Sequence, residues 1–451
     1  MRLFAFEGLR YGARAGDAGR LAAPPYDQID DAARDRFQAA SPYQFVHLTR
    51  PVATGAGDPY RHAAELHGSW VRDGIVVRDE QPSLYPYVVE LAGGGPGSSG
   101  GSGGSAGRRL GVMALVGYAP AAEIRPHEQT LDKPLADRLA LLEATRVDLE
   151  PALLLAEDGG ELDDLLASDI EGRAGDAGDA GDARDARDAG AAAKAEARQG
   201  GPLRPLVDYR DDAGNHHLLF RIADPGRIAA YQQALAARPA AIADGHHRYK
   251  VGQRFAAEHP GSASTAAGAK LAVVTSMSSR ALTIDPIHRA LRQPIDPALF
   301  ADLKAAVVPF RGGSGAELAR AVAAAPQPAL GVWVAGRPPE IWHLLPAGIP
   351  RAAGKAPTLA VKIFQDAVLP ALGLAPEAAT DGTLVYRSDA DALYTQLERG
   401  ELGTGFWLPP MRPADFAAAI AQGELLPPKS TRFLPKAMSG LVWSDHRSRM
   451  T

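Results

Sequence analysis

The 451-residue chain has no cysteine, which removes disulfides, thiolate nucleophiles and thiolate metal sites. It has no run of about eighteen uncharged apolar residues, so no transmembrane helix is expected. Its opening, Met1-Arg2-Leu3-Phe4-Ala5-Phe6-Glu7, lacks a signal-peptide core. The expectation is a cytoplasmic protein without a membrane partner. Positive charge is not in excess: 48 Lys and Arg against 53 Asp and Glu leave a formal net charge of −5, which argues against a nucleic-acid partner. There is no helix-turn-helix candidate for reading DNA. Neither Gly-x-x-x-x-Gly-Lys-[Ser/Thr] nor Gly-x-Gly-x-x-Gly occurs in a strand-helix context, which disfavours the familiar nucleotide folds.

What is present is ordinary globular material, 46% hydrophobic and 22% charged, long enough for two or three domains. Two stretches depart from it. Residues 93–107 are almost entirely Gly and Ser and read as a flexible loop between strands Leu84–Leu91 and Leu110–Tyr118. Residues 171–199 alternate Gly-Asp-Ala and Ala-Arg-Asp units with hardly any large apolar residue and read as a disordered insertion. Further strands are expected at Pro151–Leu155, His217–Ile222, Leu271–Ser276 and Leu330–Val334. Helices are expected at Asp31–Ala40, His62–Asp73, Leu135–Thr145, Gly226–Ala236, His246–Glu258, Pro297–Ala306 and Gly315–Ala324. Several strands alternate in polarity, so the fold class is α/β in the α+β sense, with mixed or antiparallel sheets and flanking helices rather than a pure doubly wound sheet. An N-terminal α/β region, 1–284, is followed by a C-terminal α/β unit, 285–451, closing with Leu441-Val442-Trp443.

The densest chemistry lies at residues 240–250, Ala-Ala-Ile-Ala-Asp-Gly-His-His-Arg-Tyr-Lys. A short apolar strand stops at Asp244-Gly245, and a helix begins at His246, with Val251, Phe255 and Ala256 at helical spacing. Gly245 at the bend lets backbone N–H groups face an anion at the positive end of the helix, where Arg248 can fork onto its oxygens. The competing reading is a capped helix, in which Asp244 accepts N–H bonds and His246, His247 and Arg248 lie on a solvated face.

A second cluster spans Ile124 to Arg146. Pro126 and Pro134 confine His127-Glu128-Gln129-Thr130 to a loop before a helix whose stripe is Leu135, Leu139 and Leu142. Loop placement rules out a zincin pair, which needs two histidines four apart on a helix. Glu128 can serve as a general base if its surroundings tune it; a solvated surface loop is the alternative. Near the C-terminus, Pro428-Lys429-Ser430-Thr431 and Pro435-Lys436 place scarce lysines where an anion contact or a solvated loop is possible. Tyr26-Asp27, after Pro24-Pro25, either line a pocket or pack.

These motifs occur in a fixed order: Pro24-Pro25-Tyr26-Asp27, Pro126-His127-Glu128-Gln129-Thr130 with Asp137-Arg138 and Leu142-Glu143-Ala144-Thr145, Ala243 to Tyr249, then Pro428-Lys429-Ser430-Thr431 with Pro435-Lys436. Together they resemble the uncharacterised bacterial family known as domain of unknown function 1015, over nearly the whole chain outside the low-complexity stretches. That family carries no settled activity. The Asp244–Arg248 turn is also similar, more distantly, to the phosphate-binding turn of the ParB and sulfiredoxin superfamily, which includes free serine kinases. This resemblance implies a ParB/sulfiredoxin-like core. His246 stands where sulfiredoxin has its catalytic cysteine, so sulfiredoxin activity is excluded. Asp244, Gly245, His246 and Arg248 match the Asp-Gly-His-x-Arg turn of the serine kinases, and Glu128 is positioned in sequence to fill the role of their earlier-loop base.

The resemblance implies phosphoryl transfer to a small hydroxyl metabolite such as free serine, from a nucleotide or pyrophosphate donor. Gly245 and its neighbours would hold phosphate, with Arg248 and His246 or His247 neutralising its charge. Glu128 would take the hydroxyl proton, and Asp244 would hold Mg²⁺ or orient the acceptor. Arg138 would clamp a carboxylate and Lys429 would reach phosphate, with Tyr26, Asp27, His127 and Thr130 lining the substrate site. Two other classes stay open: a ParB-like nucleotide-binding regulator without turnover, and a phosphoester hydrolase. In the latter, adjacent His246 and His247 would point about 100° apart on a helix, which is poor for one metal.

Overall fold

The computed structural model describes all residues except 54–56, 93–106, 129–132, 172–202, 260 and 345–358. The Gly/Ser loop up to residue 106, Thr130, and the expected insertion from residue 172 therefore lie outside the described residues. The chain divides into two compact units: residues 1–125, 131–281 and 435–451 form the first, and residues 126–130 and 282–434 the second.

The first unit is built on a nine-stranded mixed sheet. Its strands are β1 (Leu3–Phe4), β2 (Tyr85–Glu90), β3 (Arg108–Gly117), β4 (Ile124–Arg125), β5 (Ala152–Ala156), β6 (Val207–Arg210), β7 (His216–Leu219), β8 (Ala240–Asp244) and β9 (Ala269–Ser276). They lie in the order β4-β8-β5-β9-β3-β2-β7-β6, with β1 also on β3. The β4/β8 and β5/β9 pairs are parallel, and the rest are antiparallel. Its longer helices are α1 (Asp31–Ala40), α2 (Pro59–Arg72), α3 (Lys133–Thr145), α4 (Glu161–Glu171), α5 (Pro225–Leu235) and α6 (His246–Glu258).

Strand alternation gives this sheet two different faces. On one, Leu110, Val112, Ala114 and Val116 of β3 join Ala272 and Val274 of β9, Leu154 of β5 and Ile242 of β8, covered by Leu162, Leu166 and Ile170 of α4 and Tyr231 and Leu235 of α5. Each buried aliphatic side chain contributes about 1.5–3 kcal/mol, against about 0–1 kcal/mol for an exposed ion pair such as Arg61–Glu65. This apolar face therefore holds the unit together. The opposite face of β3 carries Arg109, Gly111, Met113 and Leu115. Val251 and Phe255, one turn apart on α6, pack on Leu139 and Leu142 of α3 and so fix how α6 leaves the sheet.

The second unit holds β10 (Thr283–Asp285), β11 (His288–Leu291), β12 (Lys304–Pro309), β13 (Ala329–Val334), β14 (Glu340–Leu344), β15 (Val385–Arg387), β16 (Thr404–Trp407) and β17 (Arg432–Leu434). Six of these form an antiparallel sheet in the order β12-β14-β13-β16-β11-β15, and β10 pairs with β17. Helices α7 (Gly315–Ala324) and α8 (Ala390–Glu398) cover it with Leu318, Val322, Leu393 and Leu397, around Trp407. Gly315 admits no side chain, since a Cβ there would lie 1.8 Å from the Ala390 carbonyl oxygen.

Two expectations need correction. Pro297–Ala306 is not an α-helix: a 3₁₀ segment, Pro297–Leu303, leads into edge strand β12, where Val307 and Val308 pair with Trp342 and Ile341 of β14. β-branched residues beside an open sheet edge are better accommodated extended than helical. The C-terminal boundary also moves, because residues 435–451 return to the first unit. There Trp443 is fully buried, with its ring 5.4 Å from Tyr11 and 5.0 Å from Phe45. Its indole N–H donates to His67 Nε2 at 3.1 Å. Burial pushes the His67 imidazole down to about 4, which keeps it a neutral acceptor. Trp443→Ala is expected to cost about 3–5 kcal/mol of stability in chemical denaturation; a loss under about 1 kcal/mol would show the tail to be peripheral.

Candidate functional site

In the first unit, β8 ends in a bulge between Ile242 and Asp244 that breaks its register with β5. Gly245 follows with φ +86°, in the left-handed region, and α6 starts at the next residue. A Cβ at Gly245 would come 3.1 Å from the Arg248 guanidinium, so both backbone and space favour glycine here. Arg248, one turn on, folds back to donate to Asp244 Oδ2 and to the Pro151 carbonyl. The other Asp244 oxygen, Oδ1, receives the Lys436 ammonium at 2.8 Å. The same ammonium lies 3.1 Å from Asp27 Oδ2.

This geometry replaces the capped-helix reading. Asp244 gives its two oxygens to two cations, and Arg248 is buried rather than solvated. His246 is buried and His247 half-buried. Burial pushes the Asp244 carboxyl up, but Arg248 and then Lys436 outweigh it and hold the group down at about 2. Asp244 is thus ionised at neutral pH, and Lys436 is held charged by Asp244 and Asp27 against its own burial.

Tyr26 joins the same cluster. Its N–H donates to Glu150 Oε1 at 2.9 Å, and the Arg138 guanidinium stacks 4.2 Å from the centre of its ring. Burial pushes the Tyr26 hydroxyl up to about 12, so it remains a phenol. Arg138 itself donates to the Thr49 carbonyl at 2.7 Å and to Asp137. Its fork is engaged by protein groups, which weighs against the expected carboxylate clamp. A small cavity of about 50 Å³ adjoins these residues, lined by Arg138, Asp148, Glu150, Arg248 and Lys270 among apolar side chains. Within it Lys270 donates to Asp148 and, at 2.8 Å, to the Glu150 carbonyl.

Tyr26, Asp27, Arg138, Asp244, Gly245 and Arg248 are therefore brought together. Sequence reasoning missed Glu150, Asp148 and Lys270, and left Lys436 without a partner; its scarcity as a lysine was the available signal. The expected Mg²⁺ does not fit this arrangement. An ammonium already sits between the Asp27 and Asp244 carboxylates, where a small ion demanding octahedral oxygens would have to go. Among the described residues no group of three or more His, Asp or Glu could hold a metal ion.

His127, Glu128 and Lys429 belong to the second unit. His127 is fully buried, its Nε2 2.7 Å from Thr431 Oγ1 and its ring edge-on to Phe416 at 5.1 Å, so its part of the loop is not a solvated surface. The Leu426 N–H donates to the His127 carbonyl at 2.7 Å, and Glu128 bridges to Leu426. Buried Arg289 stacks on Tyr386 and Phe364 and donates to the Lys429 carbonyl at 3.1 Å. Burial lowers its guanidinium to about 10, opposed by Tyr386 and Glu128. Lys429 holds φ +59°, and its side chain is exposed.

A family model described as a protein of unknown function, DUF1015, matches residues 3–309. Among curated proteins none matches the sequence. Solved structures with similarity include a free serine kinase in complex with AMP, 12% identical over 75% of this chain and 90% of that chain, with a TM-score of 0.34. A conserved hypothetical protein from Pyrococcus furiosus is 12% identical over 71% of this chain and 90% of its own, with a TM-score of 0.33. SbnI with C-terminal truncation from Staphylococcus aureus is 13% identical over 72% and 85%, with a TM-score of 0.33.

The Asp244 cluster has a pH signature. A carboxyl lowered on folding adds stability above its unfolded value, near pH 4, and that stability is lost as pH falls towards about 2. Asp244→Asn is expected to be less stable on the order of 2 kcal/mol at neutral pH, with the gap closing in acid. Urea midpoints measured from neutral pH downward check this; a gap independent of pH would contradict it.

Proposed function

We propose that this chain, which belongs to the DUF1015 family, is a phosphotransferase acting on a small hydroxyl metabolite, with free serine the favoured acceptor. The observation that carries this reading is the turn at the end of β8. There a left-handed Gly245 opens directly into α6, beside a buried cluster containing Arg248 and Lys436. The positive φ of Gly245 turns the chain straight from the strand into the first turn of a 13-residue helix, which favours negative charge. The Asp-Gly-His-x-Arg pattern of a ParB/sulfiredoxin-like turn supports the same choice of ligand.

In this reading a nucleotide or pyrophosphate supplies the phosphoryl group. Its oxygens compete with Asp244 and Asp27 for Lys436, a compact cation with three donors. Arg248 contributes field rather than a free fork, since its terminal nitrogens already serve Asp244 and Pro151. Asp244 orients these cations instead of coordinating metal. Phosphoryl transfer asks the protein mainly for position and charge, which a rigid pair of cations on a buried sheet end supplies. The proton-accepting role of Glu128 rests on the resemblance alone.

Phosphorus NMR of purified protein with ATP, ADP or pyrophosphate, Mg²⁺ and pooled hydroxyl metabolites including serine tests the reading. Donor loss should accompany a new phosphomonoester, and Lys436→Met should slow it about 10²-fold. Glu128→Gln reports on the proton-accepting role. If no donor is consumed, and Lys436→Met and Arg248→Ala leave nucleotide affinity unchanged, the phosphotransferase reading is wrong.

A further inference from the structure

The sheet face that carries Asp244 also carries a buried arginine whose terminal nitrogens find no hydrogen-bond partner among the described residues. Arg109 on β3 is 2% exposed, and among the described residues neither Nη1 nor Nη2 finds a hydrogen-bond partner. A buried guanidinium left unpaired is costly, so a native structure needs something to meet it. Burial lowers its guanidinium to about 10, with Tyr87 and then Asp244 opposing the shift. Both are engaged elsewhere. The Tyr87 hydroxyl lies 2.7 Å from His217 Nδ1, whose Nε2 is 3.0 Å from Asp211, and it also accepts the Met438 N–H at 3.4 Å. Asp244 is taken by Arg248 and Lys436.

A second unpartnered group sits on the neighbouring strand. Thr275 of β9 is fully buried, and its Oγ1 finds no hydrogen-bond partner among the described residues. It stands over Gly111, where a Cβ would come within 2.8 Å of that oxygen. Arg109 and Gly111 point to the same face of β3, and the register carries that face through Met113, Val273 and Leu153 to Asp244. The tail crosses this face, with Lys436 on Asp244, Met438 on Tyr87 and Ser439 on Glu150.

We propose that Arg109 anchors a small oxyanion, a carboxylate or a phosphate group, on this sheet face beneath residues 435–439, with Thr275 as a further donor. A guanidinium offering two terminal nitrogens matches either anion bidentately. The inference deepens the phosphotransferase reading and rests on it for the ligand's identity. It also supplies the anion contact that Arg138, already held by Asp137 and Thr49, is poorly placed to give.

Calorimetric titration of the full chain with inorganic phosphate and, separately, with serine as a carboxylate probe distinguishes the two anions. One of them should bind saturably and raise the melting temperature above a chloride control of equal ionic strength. Arg109→Met should weaken that binding about tenfold or more, and Arg109→Lys, which keeps charge but loses the fork, should fall between. If neither probe binds or stabilises the unaltered protein, or if Arg109→Met and Arg109→Lys bind as it does, the anchor is refuted. Should either variant fail to fold, the unaltered protein and the remaining variant decide. Binding that survives alongside a failed phosphorus NMR screen would leave the anchor standing and remove only the transfer reaction.

Discussion

A charge removed from water has to be met by another, and in the first unit Lys436 meets two. Its ammonium joins Asp27 to Asp244, residues brought together only by the fold, while Arg248 closes on Asp244 from within α6. Paired burial of this kind often adds little net stability, because desolvation offsets the Coulomb gain. Breaking one partner away is a different matter, since the remaining charges are then stranded. The cluster therefore acts less as glue than as a constraint. It fixes where the N-terminal region, the end of β8, the start of α6 and the returning tail must lie together.

That constraint explains why the tail belongs to the first unit. Lys436 can reach Asp244 only if residues 435–439 cross the sheet face, and the same path puts Ser439 in a bridge with Ala23 and Trp443 in one with Leu9. Trp443 then supplies apolar burial among Tyr11, Phe45 and His67, which the ion cluster itself cannot. Polar precision and hydrophobic stabilisation are divided along one short segment. The sheet divides the labour in a similar way: one face carries the main apolar core, while Arg109 and Asp244 lie on the other among Met113, Val273 and Leu153.

Local pattern made much of this legible. α1, α6 and α7 have the bounds that periodicity predicts, because their apolar stripes and end signals lie within a few residues of each other. The β8–Gly245–α6 junction was readable for the same reason. The allegiance of residues 435–451 was not, since the partners of Lys436 and Trp443 are hundreds of positions away, 409 in the case of Asp27. Pro297–Ala306 misled because a helical period in a short apolar run cannot reveal that a sheet edge is waiting for it. His127 misled in part: its two flanking residues, Pro126 and Glu128, look like surface, yet Thr431, Phe416 and Phe433 enclose its ring.

Four arginines show what a buried guanidinium can mean. Arg138 and Arg248 have protein acceptors in place, so their positions are explained by the fold around them. Arg289 in the second unit is likewise accounted for, by the Lys429 and Ile287 carbonyls and two aromatic rings. Among the described residues Arg109 has none of these, though it is as buried as any of them. Packing alone would be served as well by an apolar side chain of similar volume, without the cost of desolvating a charge. An arginine there makes physical sense when its terminal nitrogens serve something that arrives from outside the chain.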